Sequence, residues 1–241
     1  MTVAVLSPHL DDAVWSLGAA IQMWARTTQV SIVTVLAGDP ASVEPAGPWD
    51  AATGFTTAGE AARCRRDEDR IACEILGARP VWLSFRDGQY EADAPNRTIW
   101  ESVIRAVGDA DTVLIPGFPL VHRDHRWLCE LALERRPSRW QIGLFLEQPY
   151  GVSRGIPGGG DRWPPGVHAA GTTPHPEAVT ADRSARKAKR RACRAYASQM
   201  AQLAAANSMS ASSLLRRIRS QEKRRGGEMV AWLPPSARRP P

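Results

Sequence analysis

The chain is expected to fold as an α/β domain of Rossmann-like type, a mostly parallel sheet flanked by helices with its active site at the C-terminal ends of the strands. Three observations carry that expectation. Short apolar runs rich in valine recur along the sequence, each reading as a strand covered on both faces. Stretches of helical periodicity separate them, so strand, helix, strand units follow one another. Two short clusters of histidine and aspartate fall just after strand-like runs, at the edge where open parallel sheets bind ligands.

In chain order, residues 3–6 and 30–36 are the first two strands. Between them residues 12–26 place Val14, Leu17, Gly18, Ile21 and Met23 on a broad apolar face, which is helical. Prolines and glycines make residues 40–59 a loop. Helix returns over 60–76 and stops at Gly77, followed by a strand over 81–85. Residues 99–107 read as helix, 112–115 as strand, 125–135 as helix and 141–146 as strand. The segment 151–176 is too rich in glycine and proline for regular structure and too long for a plain connector, so it is expected to be a substrate-facing loop. Residues 181–205 are strongly helical, and the end of the chain, LPPSARRPP, reads as frayed. The expected organisation is one domain over 1–232 and a frayed tail over 233–241.

Composition excludes the exotic classes. An apolar fraction of 43% and a charged fraction of 23% are those of an ordinary globular protein. The first strand ends at Ser7-Pro8 and has no basic residues before it, so neither a signal peptide nor a membrane span is expected. Four scattered cysteines, Cys64, Cys73, Cys129 and Cys193, form no CxxC pair and fit a reducing cytoplasm. The net charge of +6 is concentrated in the arginines of 183–194 and 216–225. A non-catalytic nucleic-acid-binding protein is thus a remote alternative, although the arginines of 183–194 are interleaved with alanines at helical spacing and only Tyr196 and Trp232 offer stacking.

The chemistry sits in the two clusters. Ser7-Pro8-His9-Leu10-Asp11-Asp12 follows the first strand, and His122-Arg123-Asp124-His125 follows the strand at 112–115. Three of the five histidines therefore meet carboxylates at one sheet edge. Zinc accepts imidazole nitrogen and carboxylate oxygen, and a catalytic site takes three protein ligands and leaves a fourth position open, so two histidines and an aspartate suffice. Taken alone, each cluster reads more simply as a helix cap; together they point to metal catalysis.

These residues resemble the LmbE-like or PIG-L-like family of zinc-dependent N-acetylglucosaminyl deacetylases and amidases, whose motifs are usually written H-P-D-D-E and H-P-D-H. The likeness extends to Arg65-Arg66-Asp67-Glu68, to Phe85-Arg86-Asp87-Gly88, to Lys189-Arg190-Arg191 and to Tyr196-Ala197-Ser198-Gln199. It implies zinc held by His9, Asp12 and His125, Asp11 as general base, His122 as second catalytic residue, and Arg65 and Asp87 as substrate-binding residues. Asp11 is unsuited to share a metal with its neighbour Asp12, which leaves it free to take a proton from water. Asp124 is expected to orient His122 and favour its cationic form. Trp49 and Tyr90 are further pocket residues. Leu10, Ala13 and Arg123 depart from the usual motifs without removing a ligand or the base. Leu120 stands where some relatives carry a tyrosine that assists the oxyanion.

The resulting expectation is a cytoplasmic, metal-dependent hydrolase that removes an acetyl or other acyl group from the amide nitrogen of a small substrate, an amino sugar or its conjugate. Natural-product or low-molecular-weight thiol metabolism is its expected setting, with no nucleic-acid or membrane partner and with homo-oligomerisation left open. The alternative within hydrolases is an amidase that cleaves a larger N-acyl conjugate.

Overall fold

The computed structural model describes residues 2–91, 94–150, 163, 167, 174–206 and 208–234. Most of the expected loop at 151–176 and the end of the tail, 235–241, lie outside the described residues. Strand β1 (Thr2–Ser7) pairs in parallel with β2 (Gln29–Thr34) on one side and β4 (Thr112–Phe118) on the other. Outside β2 lies β3 (Arg79–Trp82), and outside β4 lies β5 (Gln141–Leu146), both parallel. Val3, Val5, Leu114 and their neighbours are buried because helices cover both faces, which explains the continuous apolar runs.

Helix α1 (Asp12–Trp24) returns from β1 to β2. Inside the expected 40–59 loop a five-residue helix, α2 (Pro48–Ala52), begins with proline at a position that needs no amide donor. Helix α3 (Ala58–Leu76) is capped by the Thr57 hydroxyl, which accepts from Glu60 N at 3.1 Å, and it stops at Gly77, whose φ of 74° glycine tolerates. Helices α4 (Asn96–Val107) and α5 (Arg123–Arg135) flank β4 in the chain. The chain thus moves outward from β1 to β3 and then crosses back to β4. Between β1 and β4 the strand order reverses direction, and a ligand crevice opens there at the carboxyl ends of the strands.

The C-terminal region differs from the sequence reading. The helix expected over 181–205 breaks at Tyr196 into α6 (Arg183–Ala195) and α7 (Ala197–Ala206). The fully buried Tyr196 donates its hydroxyl proton to Asp69 at 2.6 Å, and Glu68 accepts from the Ser198 amide and hydroxyl at 2.8 and 2.7 Å. These contacts stop one helix and start the next, and they leave Tyr196 no free face for stacking. Helix α8 (Ala211–Arg225) follows, held by only two buried residues, Leu214 and Ile218. Strand β6 (Pro176–Val179) pairs antiparallel with β7 (Glu228–Trp232), and β7 pairs antiparallel with β5. Leu233, assigned to the tail from sequence, is buried at 3% exposure, and its amide donates to Ile142 O at 3.0 Å. Ordered packing therefore continues past 232.

A buried ion cluster ties this region to α1. Lys189 Nζ donates to Glu222 at 2.6 Å, to Glu228 at 2.5 Å and to the Ser16 carbonyl at 3.3 Å, while Glu228 accepts from the Ala19 and Ala20 amides. Removing the cation alone leaves Glu228 charged and buried. Lys189→Met is therefore expected to cost about 3–5 kcal/mol in urea unfolding, and the double variant with Glu228→Gln to recover part of it. Equal stability of Lys189→Met and the parent chain would show that the cluster holds nothing together.

Candidate metal centre

Ser7 at the end of β1 shapes the first cluster. Its hydroxyl donates to the His9 carbonyl at 2.6 Å and accepts from the Ala13 amide at 3.1 Å, so the chain turns tightly into α1. The second cluster opens α5, where His122 is the N-cap and its Nδ1 accepts from the Asp124 amide at 3.2 Å.

Across the crevice three atoms converge. His9 Nδ1 lies 3.2 Å from Asp12 Oδ2, Asp12 Oδ2 lies 3.2 Å from His125 Nε2, and His125 Nε2 lies 3.3 Å from His9 Nδ1. Ligand bonds of about 2.0–2.2 Å in a tetrahedral site require edges of about 3.3–3.6 Å, so this triangle is close to one face of such a site. Two nitrogens and one carboxylate oxygen also suit a borderline metal such as zinc. A wider grouping exists: His9, His122 and His125 each bring a ring nitrogen within 4.8 Å of the others.

The far nitrogens of the two close histidines are also engaged. His9 Nε2 is 3.2 Å from Asp124 Oδ2, and His125 Nδ1 is 3.0 Å from Glu147 Oε1. Glu147, which the sequence reading passed over, ends β5 and is buried at 1% exposure. Its only sequence signal is a glutamate closing the apolar run QIGLFL. Carboxylates on the outer nitrogens fix ring orientation and leave the inner nitrogens to face one another. The Asp124–His122 pairing expected from sequence is not what is built. Asp124 Oδ2 bonds His9 and the Gly88 amide, at 2.9 Å, and stands 3.9 Å from His122 Nδ1, which already accepts the Asp124 amide. Gly88 permits that approach, since a Cβ there would lie 2.8 Å from Asp124 Oδ1.

The electrostatics follow the same geometry. Burial disfavours charge on His125, yet Asp12 and Glu147 raise its pKa to about 10. His9 is raised likewise, by Asp12 and Asp124 against burial. Asp12 is buried too, but the two imidazoles hold its carboxyl well below the usual range. Asp11 goes the other way: burial, followed by repulsion from Asp12, lifts it to about 7. Its side chain makes no helix cap and lines the cavity. His122 is lowered by burial and by the neighbouring His9 and His125, which opposes the cationic form expected for it.

A cavity of about 480 Å3 opens over the triangle. Arg65 and Asp87 both line it, but Arg65 is engaged in an ion pair with Asp50 of α2 and Asp87 accepts from the Gln89 amide at 3.0 Å. Trp49 lines the same cavity, its indole donating to Gln199 at 2.8 Å. Tyr90 faces a smaller neighbouring pocket and donates to Asp50 at 2.5 Å. Leu120 packs against the hydrophobic core. Gln148 and Tyr150, just past the end of β5, and Gln199 and Leu203 of α7 also line the cavity, and the sequence reading gave none of them a pocket role.

Comparison with known proteins agrees with the fold. The structure superposes on the A40926 pseudoaglycone deacetylase with a TM-score of 0.76 at 26% identity, covering 99% of this chain and 98% of that one. The zinc-inhibited form of the teicoplanin deacetylase Orf2 gives 0.77 at 21% identity, covering 99% and 100%. The N,N'-diacetylchitobiose deacetylase of Pyrococcus horikoshii gives 0.62 at 19% identity, covering 97% and 84%. No curated protein matches the sequence. The family model described as PIG-L: GlcNAc-PI de-N-acetylase matches residues 4–135, more than half of the 241-residue chain and inclusive of both histidine–aspartate clusters, so the chain belongs to that family.

Proposed function

We propose that this protein is a metal-dependent N-deacylase that removes an acetyl group from the amide nitrogen of a small substrate, an amino sugar or a conjugate of one. One observation carries the metal reading: both inner imidazoles of the His9, Asp12, His125 triangle have their outer nitrogens on buried carboxylates, Asp124 and Glu147. That arrangement is what a ligand set needs and what two helix caps do not. The family and the neighbouring deacetylases support the reaction class.

In this reading His9, Asp12 and His125 hold the ion, which when bound supplies Lewis acidity that polarises the acyl carbonyl and makes water a nucleophile at neutral pH. Asp11 takes the proton of the attacking water and returns it to the departing nitrogen. The water oxygen bonds to the acyl carbon to give a tetrahedral centre, the carbon–nitrogen bond then breaks as Asp11 protonates the nitrogen, and the acid so formed gives up its remaining proton to the amine or to solvent, leaving a carboxylate. His122, with Nδ1 occupied by an amide, is the tautomer that donates from Nε2 at the cavity rim. Arg65 and Asp87 bind the substrate from the opposite wall, with Asp50 holding the Arg65 guanidinium in place. The cavity volume and the apolar wall of Leu10, Leu36, Trp49 and Leu203 favour a second reading, an amidase for a larger N-acyl conjugate.

Metal analysis of the purified protein, with an acid-release screen over N-acetyl and longer N-acyl amino sugars before and after chelation, tests both readings. Activity that survives complete metal removal would overturn the first. The outer carboxylates make a separate prediction. Glu147→Gln and Asp124→Asn are each expected to weaken metal affinity about 10–100-fold and to regain activity in excess metal. Unchanged affinity in both would mean that these carboxylates do not support ligands.

A further inference from the structure

Tyr150 lies four residues beyond β5 and outside the residues that the family model matches. Its ring stands edge-on to the His125 imidazole, with centroids 5.6 Å apart and planes at 82°. It lines the cavity together with His9, Asp11, Asp12 and His122. Among the described residues nothing hydrogen-bonds its hydroxyl, whereas the phenols of Tyr90 and Tyr196 are both tied to buried aspartates. A polar group at the wall of a reaction cavity that no described residue bonds is available to substrate.

Any hydrolysis of an amide at the triangle puts negative charge on the carbonyl oxygen, and hydrogen-bond donors aimed at that oxygen are a major source of rate. On the β4 side the position that the family likeness would call on, two before His122, is Leu120, which has no side-chain donor and packs against the core. The geometry points to Tyr150 as the missing donor: a catalytic residue, supplied from the end of β5, whose Oη–H bonds to the substrate's carbonyl oxygen as that oxygen becomes anionic. An ordinary phenol is protonated at neutral pH, so the hydroxyl has a proton to donate. The proton balance of the reaction is untouched, because the proton that leaves water still travels by way of Asp11 to the amine.

This inference rests on the N-deacylase reading, and its test separates the two. Metal-loaded Tyr150→Phe keeps the ring against His125 and removes only the hydroxyl. With the best N-acyl substrate of the parent chain, kcat is expected to fall about 10²–10³-fold with KM within about two-fold, and metal content and thermal midpoint unchanged. A phosphonate that mimics the tetrahedral centre should bind Tyr150→Phe more weakly by a comparable factor, measured by calorimetry without turnover, while the acetate product binds equally to both. An unchanged kcat, a rise in KM alone, or equal affinity for the phosphonate would overturn the role. If the metal-loaded parent chain releases no acid from any N-acyl amine, the reading beneath it fails and this inference falls with it.

Discussion

His9→Ala, Asp12→Ala and His125→Ala are each expected to lose metal and hydrolytic activity together. All three atoms of the triangle lie within 3.2–3.3 Å of one another, so deleting any one opens a whole edge of the site rather than a peripheral contact. The loss of affinity should exceed the roughly 100-fold that removal of an outer carboxylate reaches at most. Asp12→Ala carries a second cost, since it removes the carboxylate that faces both imidazoles and leaves the two rings to repel each other when protonated. The informative comparison is His122→Ala. If the ion sat among the three histidines, that variant would be as metal-poor as the others; if it sits in the closer triangle, His122→Ala keeps its metal and loses rate alone. Metal per chain after gel filtration decides. Stoichiometric metal in all three triangle variants would sink the assignment.

Much of the frame that positions this site was readable because it depends on local pattern. Val3, Val5, Val30 and Ile32 are buried on both sheet faces, so their runs are apolar without alternation, and Gly77 ends α3 as a left-handed glycine. His9 and His125 were locatable because each follows a strand at the edge where the order β2, β1, β4 reverses. The antiparallel pair β6 and β7 was not legible. Glu228 opens β7 with a charge that only Lys189, Ala19 and Ala20, distant in sequence, make tolerable in the interior. The same holds for α8, whose two buried residues are too narrow a stripe to stand out among its arginines.

Side-chain allegiance was harder to read than position. Asp124 stands two residues from His122 and 115 from His9, so adjacency favoured the more distant of its two histidine contacts, 3.9 Å against 3.2 Å. In the fold, α5 turns the Asp124 side chain across the crevice toward His9 and Gly88, while its backbone amide serves His122. Spacing along a chain places residues on a helix face, but it does not say which loop lies opposite. Glu147 shows the same limit: its function depends entirely on His125, which reaches it from α5. Trp49 and Asp50 belong to a helix too short for periodicity to reveal.

Asp11→Asn is expected to retain metal and lose turnover, separating the base from the ligand beside it. Asp12 alone of the two carboxylates belongs to the triangle, so the amide substitution leaves all three ligand atoms in place. Asparagine is nearly the size of aspartate, and Asp11 makes no capping bond that the substitution would break. What disappears is the ability to accept the water's proton near neutral pH, a contribution of about 10²–10⁴-fold in kcat. The pH profile gives the sign. The base works only when ionised, so the rate of the parent enzyme rises with pH through the pKa of Asp11. Without a cation, burial and the charge of Asp12 hold that pKa at about 7. A divalent ion at Asp12 offsets the repulsion and draws it down, so the acid limb of the metal-loaded enzyme should lie below pH 7. In Asp11→Asn that limb should vanish, leaving a low rate nearly flat across the same range. Full metal content with a parent-like kcat and an unmoved acid limb would assign the base to another residue.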